Sequence, residues 1–252
     1  MNKIFLLLLS CFSFSISFSQ NSEYPADYFR SPLDIPLYLS GTFGELRSNH
    51  FHSGIDIKTQ GVEGKNVYAV ADGYVSRIKV SAGGYGKALY INHPNGTVSV
   101  YGHLKKFSPA IEKYVRDLQY SNESFEVEAF PTKETLPVKK GDVVAFSGNT
   151  GSSGGPHLHF EIREEGTQYA VNPLLYKSIK VKDLLKPSIM ELVIYPVDEQ
   201  SLIDGKNDTA FFAVEGTGKD YVLKGKPKIT VTGNVSFGIR TIDLMSDIPN
   251  KN

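Results

Sequence analysis

Tryptophan is absent from this 252-residue chain and cysteine occurs once, at Cys11. A single thiol builds no disulfide framework and leaves any metal chemistry to imidazole and carboxylate groups. Neither sign of charge is in excess. Lys+Arg and Asp+Glu both number 27, which removes the electrostatic reason to expect nucleic acid or an anionic membrane surface as partner. No apolar run reaches the roughly 20 residues that a membrane-spanning helix needs. What is plentiful is glycine, tyrosine and phenylalanine, at 23, 14 and 15 residues, a composition of short strands and tight turns rather than of a helical bundle.

The first residues read as an address. Lys3 precedes an apolar stretch interrupted by serines, and small residues at Ser17 and Ser19 lead to Gln20, so 1–19 is expected to be a signal peptide cleaved near Ser19. Cys11 would leave with it; lipidation there is the minority alternative. Residues 20–40, punctuated by Pro25, Pro32 and Pro36, form an extended lead-in expected to pack against something else. Short strand-like segments follow. Those at 67–70 and 74–80 flank Asp72-Gly73, and those at 88–92 and 97–101 flank Pro94-Asn95-Gly96, both hairpin signals. Further strands are expected at 143–146, after the turn Lys139-Lys140-Gly141-Asp142, and at 157–163, after the Gly/Ser-rich loop 148–155. Between them, 105–136 differs in character: Ser108-Pro109 opens a short helix running to Gln119, and an irregular charged stretch comes after it, an insertion on the rim. After Pro173 the segments 190–195, 209–214 and 228–231 read as strands of a second module.

The strongest local signal is His157-Leu158-His159-Phe160-Glu161-Ile162-Arg163, which alternates polar and apolar. In a strand, His157, His159, Glu161 and Arg163 share one face while Leu158, Phe160 and Ile162 face a core. An H-x-H pair alone also fits two surface histidines on an edge strand. The second element is His52-Ser53-Gly54-Ile55-Asp56, whose i, i+4 spacing places His52 and Asp56 on one face. One carboxylate and two imidazoles make a three-ligand set for Zn²⁺, with a fourth position left for water as in catalytic sites. His103, at the end of a strand, shares a face with Ser99 and Tyr101 in this reading and looks into the cleft. His50 and His93 read as surface residues, the first in Arg47-Ser48-Asn49-His50, the second before the Pro94-Asn95-Gly96 turn.

Taken together, the pieces resemble the lysostaphin and LytM type zinc endopeptidases that cut peptide cross-bridges in peptidoglycan. The resemblance covers about 41–176. It rests on His52-Ser53-Gly54-Ile55-Asp56, Ala71-Asp72-Gly73-Tyr74-Val75, Tyr101-Gly102-His103-Leu104, Val138-Lys139-Lys140-Gly141-Asp142, and Gly148-Asn149-Thr150-Gly151 through Gly155-Pro156-His157-Leu158-His159-Phe160-Glu161, in the family's order. It implies a mostly β fold, a compact antiparallel β catalytic domain with an open cleft over a sheet, here carrying the partly helical 105–136 insertion and a C-terminal β extension over 177–252. It also implies one zinc ion held by His52, Asp56 and His159. His157 would then deprotonate the attacking water and pass the proton to the leaving amine, while His103 stabilises charge on the tetrahedral intermediate or shares the proton transfer. The implied substrate is peptidoglycan peptide, met in the periplasm or outside the cell. Another role on the same fold is a non-catalytic module that binds the wall or activates a hydrolase. The insertion departs from the family pattern, and its length could narrow the cleft, select a substrate or cover the site.

Overall fold

The computed structural model describes residues 24–243 apart from 182 and 184; the expected signal peptide, its cleavage point and Cys11 lie outside the described residues. Six strands come first: β1 (Leu39–Gly41), β2 (Ile55–Lys58), β3 (Asn66–Tyr68), β4 (Gly73–Val80), β5 (Lys87–Asn92) and β6 (Thr97–Gly102). They are followed by β7 (Lys106–Phe107), helix α1 (Pro109–Ser121), β8 (Val127–Ala129), β9 (Pro137–Val138), β10 (Val143–Phe146), β11 (His157–Glu164) and β12 (Ala170–Val171). One antiparallel sheet runs in the order β1-β2-β11-β6-β5-β4-β8, with β12 beside β11 and β9 beside β4. β3, β10 and β7 make a smaller second sheet. The protein is mostly β, as the turn-rich composition predicts.

Alternation in β11 decides where the core lies. Leu158, Phe160 and Ile162 are completely buried, together with Ile55 and Ile57 of β2, Leu89 and Ile91 of β5 and Tyr101 of β6. Each such side chain contributes roughly 1.5–3 kcal/mol by leaving water. The lead-in belongs to this core: Phe29, Leu33 and Leu37 are buried in it. The insertion does too. α1 starts at Ser108-Pro109 as expected, with proline at the first helical position where no N–H is needed, and it buries Ile111 and Val115. β8 then pairs with β4, at the edge of the large sheet opposite β1 and β2.

Three local expectations fail. Asp72-Gly73 is not a hairpin turn, because β3 pairs with β10 while β4 pairs with β5, β8 and β9. Gly73 is small for a different reason: a Cβ there would lie 2.1 Å from the Asn92 carbonyl oxygen. His93 is not at the surface. The turn residues 94–96 are exposed, but the His93 ring points inward, its Nδ1 at 2.9 Å from the Asp72 carbonyl and its Nε2 at 2.8 Å from the Ser99 hydroxyl. Lastly, Ser99 and Tyr101 face the main core and not a cleft, while Val98 and Val100 join Ala88, Tyr90 and Tyr85 on the other side of the sheet.

Beyond the 3-10 turn Pro173–Leu175, the C-terminal region holds β13 (Ser188–Pro196), β14 (Leu202–Ile203), β15 (Ala210–Thr217), β16 (Asp220–Leu223), β17 (Val231–Thr232) and β18 (Val235–Ile242). β16-β15-β13-β18 form one sheet. The strand expected at 228–231 reduces to β17, and β18, the main partner of β13, was not anticipated.

Candidate metal centre

Strand register brings the two halves of the site together. β2 and β11 pair so that Asp56 lies directly opposite His159, and β11 pairs with β6 so that His159 lies opposite Gly102. Facing residues of an antiparallel pair project to the same side, so Asp56 and His159 meet across the ladder. Gly54 permits the approach of the chain just before β2, since a Cβ on it would sit 2.3 Å from the Phe160 carbonyl oxygen. His52 is carried in on the segment 42–52, a hairpin-like loop closed by Gly44 N–H to His52 O and His52 N–H to Glu45 O, both 2.8 Å.

His103 reaches the same place by breaking the alternation. Continued extension of β6 would send its side chain to the core with Tyr101, but His103 has φ +57, a left-handed conformation costly for a non-glycine residue, and the ring turns to the cleft. Gly148 makes room for that turn: a Cβ on it would lie 2.3 Å from Lys105 N and 2.8 Å from His103 O. The rings of His103 and His157 stand 4.7 Å apart, and those of His103 and His159 6.0 Å. All five residues expected from sequence therefore converge. His50 is exposed and stands apart, as expected.

The outer nitrogen of each ring is committed. His52 Nδ1 is 2.9 Å from Thr42 O, His103 Nδ1 2.8 Å from Thr150 O and His157 Nδ1 2.8 Å from Gly155 O. His159 Nε2 is 2.7 Å from a carboxylate oxygen of Glu161. Carbonyl and carboxylate oxygens only accept, so in each neutral ring the proton sits on that outer nitrogen and the other nitrogen turns a lone pair inward.

Three such acceptors lie nearly in van der Waals contact: His159 Nδ1 is 2.8 Å from Asp56 Oδ1, His52 Nε2 is 3.2 Å from the same oxygen, and the two nitrogens are 3.1 Å apart. Lone pairs that close repel unless a cation lies among them. A tetrahedral zinc ion with bonds of about 2.0–2.1 Å separates its ligand atoms by about 3.3 Å, close to these spacings. The site's titration points the same way. Burial works against charge on His159, yet Asp56 and Glu161 outweigh it and raise the ring's affinity for a proton, which here takes the cation's place. Burial likewise opposes charge on Asp56, and hydrogen bonds from His157, His159 and His52, which these rings can donate only while a proton stands on the inward nitrogen in place of a cation, hold it well below the usual carboxylate range. Burial also lowers His103, to about 4, so at neutral pH it is an uncharged ring with a free Nε2.

Sequence reasoning missed three neighbours. Arg47 Nη2 donates to Asp56 Oδ2 at 3.0 Å, and nothing in its local sequence signals this. Tyr85, from the loop between β4 and β5, stacks on His159 with ring centroids 4.6 Å apart and donates to Glu161. Glu161 itself was placed on the histidine face by alternation, but no role was read for it. Among the described residues, no hydrogen bond or ion pair links the 105–136 insertion to any of the five site residues. Its Glu126 Oε1 accepts from Ala82 N at 2.6 Å at the base of the Tyr85 loop.

Residues 50–120 and 116–173 match the model of peptidase family M23. The 50–173 segment belongs to that family. The chain is 36% identical over 129 residues to DD-carboxypeptidase/endopeptidase Mpg of Neisseria meningitidis serogroup B, covering 51% of the present chain and 23% of that protein. It is also 34% identical over 135 residues to the murein hydrolase activator NlpD of Escherichia coli K12, covering 54% of this chain and 28% of that one. The chain thus spans about a quarter of the length of these relatives. A solved structure described as a zinc containing peptidase from Vibrio cholerae is 25% identical with a TM-score of 0.42, over 57% of this chain and 38% of that one.

Proposed function

We propose that the M23 domain is a zinc-dependent endopeptidase that hydrolyses peptide bonds in bacterial peptidoglycan cross-links, exported by its leader to act in the periplasm or outside the cell. The observation that carries this reading is the convergence of three ligand atoms, from His52, Asp56 and His159, beside two further imidazoles whose Nδ1 atoms are tied to backbone carbonyls. His52, Asp56 and His159 would hold the ion. Zinc bound there would polarise the scissile carbonyl and acidify water. The chain's own residues do the rest. His157, with Nδ1–H tied to Gly155 O, offers Nε2 as the base that takes a proton from the attacking water and returns it to the leaving amine. His103 is fixed in the same sense by Thr150 O, so its Nε2 would share this transfer, taking the water's proton in place of His157 and returning it to the leaving amine.

The similarity to a murein hydrolase activator favours a second reading, in which the domain activates another hydrolase without cutting bonds itself. One experiment separates them: zinc content of purified protein, and release of new amino termini from peptidoglycan. The expected result is about one zinc per chain. His159→Ala loses metal and activity together; His157→Ala keeps the metal and loses about 10²–10⁴ in turnover. Wild type that binds zinc yet releases nothing from any wall preparation would favour the activator.

A further inference from the structure

Glu161 is a completely buried carboxylate, an expensive group to place in a sheet unless its oxygens are satisfied. Four donors reach it. His159 Nε2 lies 2.7 Å and the Ser53 hydroxyl 2.9 Å from Oε1, the Tyr85 hydroxyl donates to the same oxygen, and Arg163 Nε donates to Oε2 at 2.5 Å. No acceptor competes among these contacts. Only a group that accepts at both oxygens satisfies all four, and a glutamine in the same pose would set its own NH2 against either the Arg163 donor or the other three.

We infer that Glu161 is a positioning residue for the metal centre: it holds the His159 proton on Nε2 and so turns the Nδ1 lone pair towards Asp56 and His52. This rests on the proposed role of His159 as a ligand. The geometry gives it a reason. His52 presents Nε2 to the centre while His159 presents Nδ1, the nitrogen nearer the backbone, and an imidazole free to choose would place its proton on either atom. A backbone carbonyl settles the choice for His52; at His159, on the side chain face of β11, the next same-face residue along the strand settles it. Tyr85 stacks on the ring and shares the same carboxylate oxygen, so tilt and tautomer are fixed from one anchor. Carboxylates behind metal-bound imidazoles act in this way, and losing one costs about 10–100-fold in metal affinity.

The alternative is that Glu161 only neutralises Arg163. The test compares zinc affinity of the full chain, by chelator competition, in wild type, Glu161→Gln and His159→Ala, with thermal unfolding of the metal-free proteins alongside. We expect Glu161→Gln to bind zinc about 10–100-fold more weakly. Zinc binding by Glu161→Gln equal to wild type, while His159→Ala loses the metal, would overturn the role of Glu161 and leave the ligand assignment standing. Full zinc binding by His159→Ala would overturn both. A readout that needs no variant to fold is the nitrogen-15 spectrum of the zinc-loaded wild-type imidazoles, in which His159 should carry its proton on Nε2. A proton on Nδ1 would refute the inference.

Discussion

Gly54 offers the sharpest test of how the two halves of the centre are joined. A Cβ built on it would lie 2.3 Å from the Phe160 carbonyl oxygen and 2.7 Å from Glu161 Cγ. The oxygen belongs to β11, the central strand between β2 and β6, and cannot swing away as a flexible side chain would. Contacts under 3.0 Å force a shift, so Gly54→Ala must part the chain from β11 by at least about 0.7 Å. His52 and Asp56 lie two residues to either side of Gly54 and would move with it, whereas His159 stays on β11. Metal sites tolerate about 0.2 Å in their bond lengths, several times less than this displacement. Replacing glycine also restricts the unfolded chain and favours folding by about 0.4–1 kcal/mol, but overpacking against backbone costs about 1–3 kcal/mol and should win. The expected outcome is zinc affinity at least tenfold weaker by chelator competition, and a metal-free protein whose Tm falls by about 2–4 °C for each kcal/mol lost. A Gly54→Ala protein with wild-type affinity and Tm would refute the close approach of these strands as the device that assembles the site.

Three further expectations follow from individual contacts. Arg47→Met removes the donor to Asp56 Oδ2 and should weaken zinc binding by about tenfold with little change in thermal stability; unchanged affinity would mean that the ion pair does not orient the carboxylate. Tyr101→Phe deprives the buried Val70 N–H of its acceptor at 3.1 Å and should cost about 1–3 kcal/mol in urea unfolding, with zinc stoichiometry preserved because Tyr101 faces the core; a neutral effect would count against that hydrogen bond. Burial holds His93 below its ordinary pKa, so the unfolded chain takes up this proton at higher pH than the folded one does. Its contribution to stability is therefore complete above about pH 6.5 and is lost as pH falls from there towards the folded value, and His93→Gln should show a shallower loss of metal-free stability on acidification than wild type. Parallel profiles for the two proteins would show that His93 is not the group responsible.

Much of the site was legible from short-range pattern. A period of two in His157-Leu158-His159-Phe160-Glu161-Ile162 assigns faces before any fold is known, because successive side chains of a strand must point opposite ways, and the structure buries Leu158, Phe160 and Ile162 as that rule requires. The helix start at Ser108-Pro109 was legible for a similarly local reason. Errors came where local pattern met long-range pairing. Asp72-Gly73 has the residues of a hairpin turn, but β10, some 70 residues on, claims β3 and leaves the turn without a second strand to return to. His103 reaches the cleft through one left-handed residue that breaks the alternation from which its face was inferred.

The sequence by itself determined which chemistry is available: acceptor ligands without thiolates, two histidines on one face of a strand, and a glycine between His52 and Asp56. Only tertiary structure decided that Asp56 lies opposite His159, 103 residues away, at 2.8 Å. It also decided that carbonyls of Thr42, Thr150 and Gly155, and the carboxylate of Glu161, orient the four rings. The physical reason is register. Strand alternation is written in each segment, but which residue faces which across a ladder depends on how the whole sheet buries its apolar side, and a slip of one residue would send Asp56 to the opposite face.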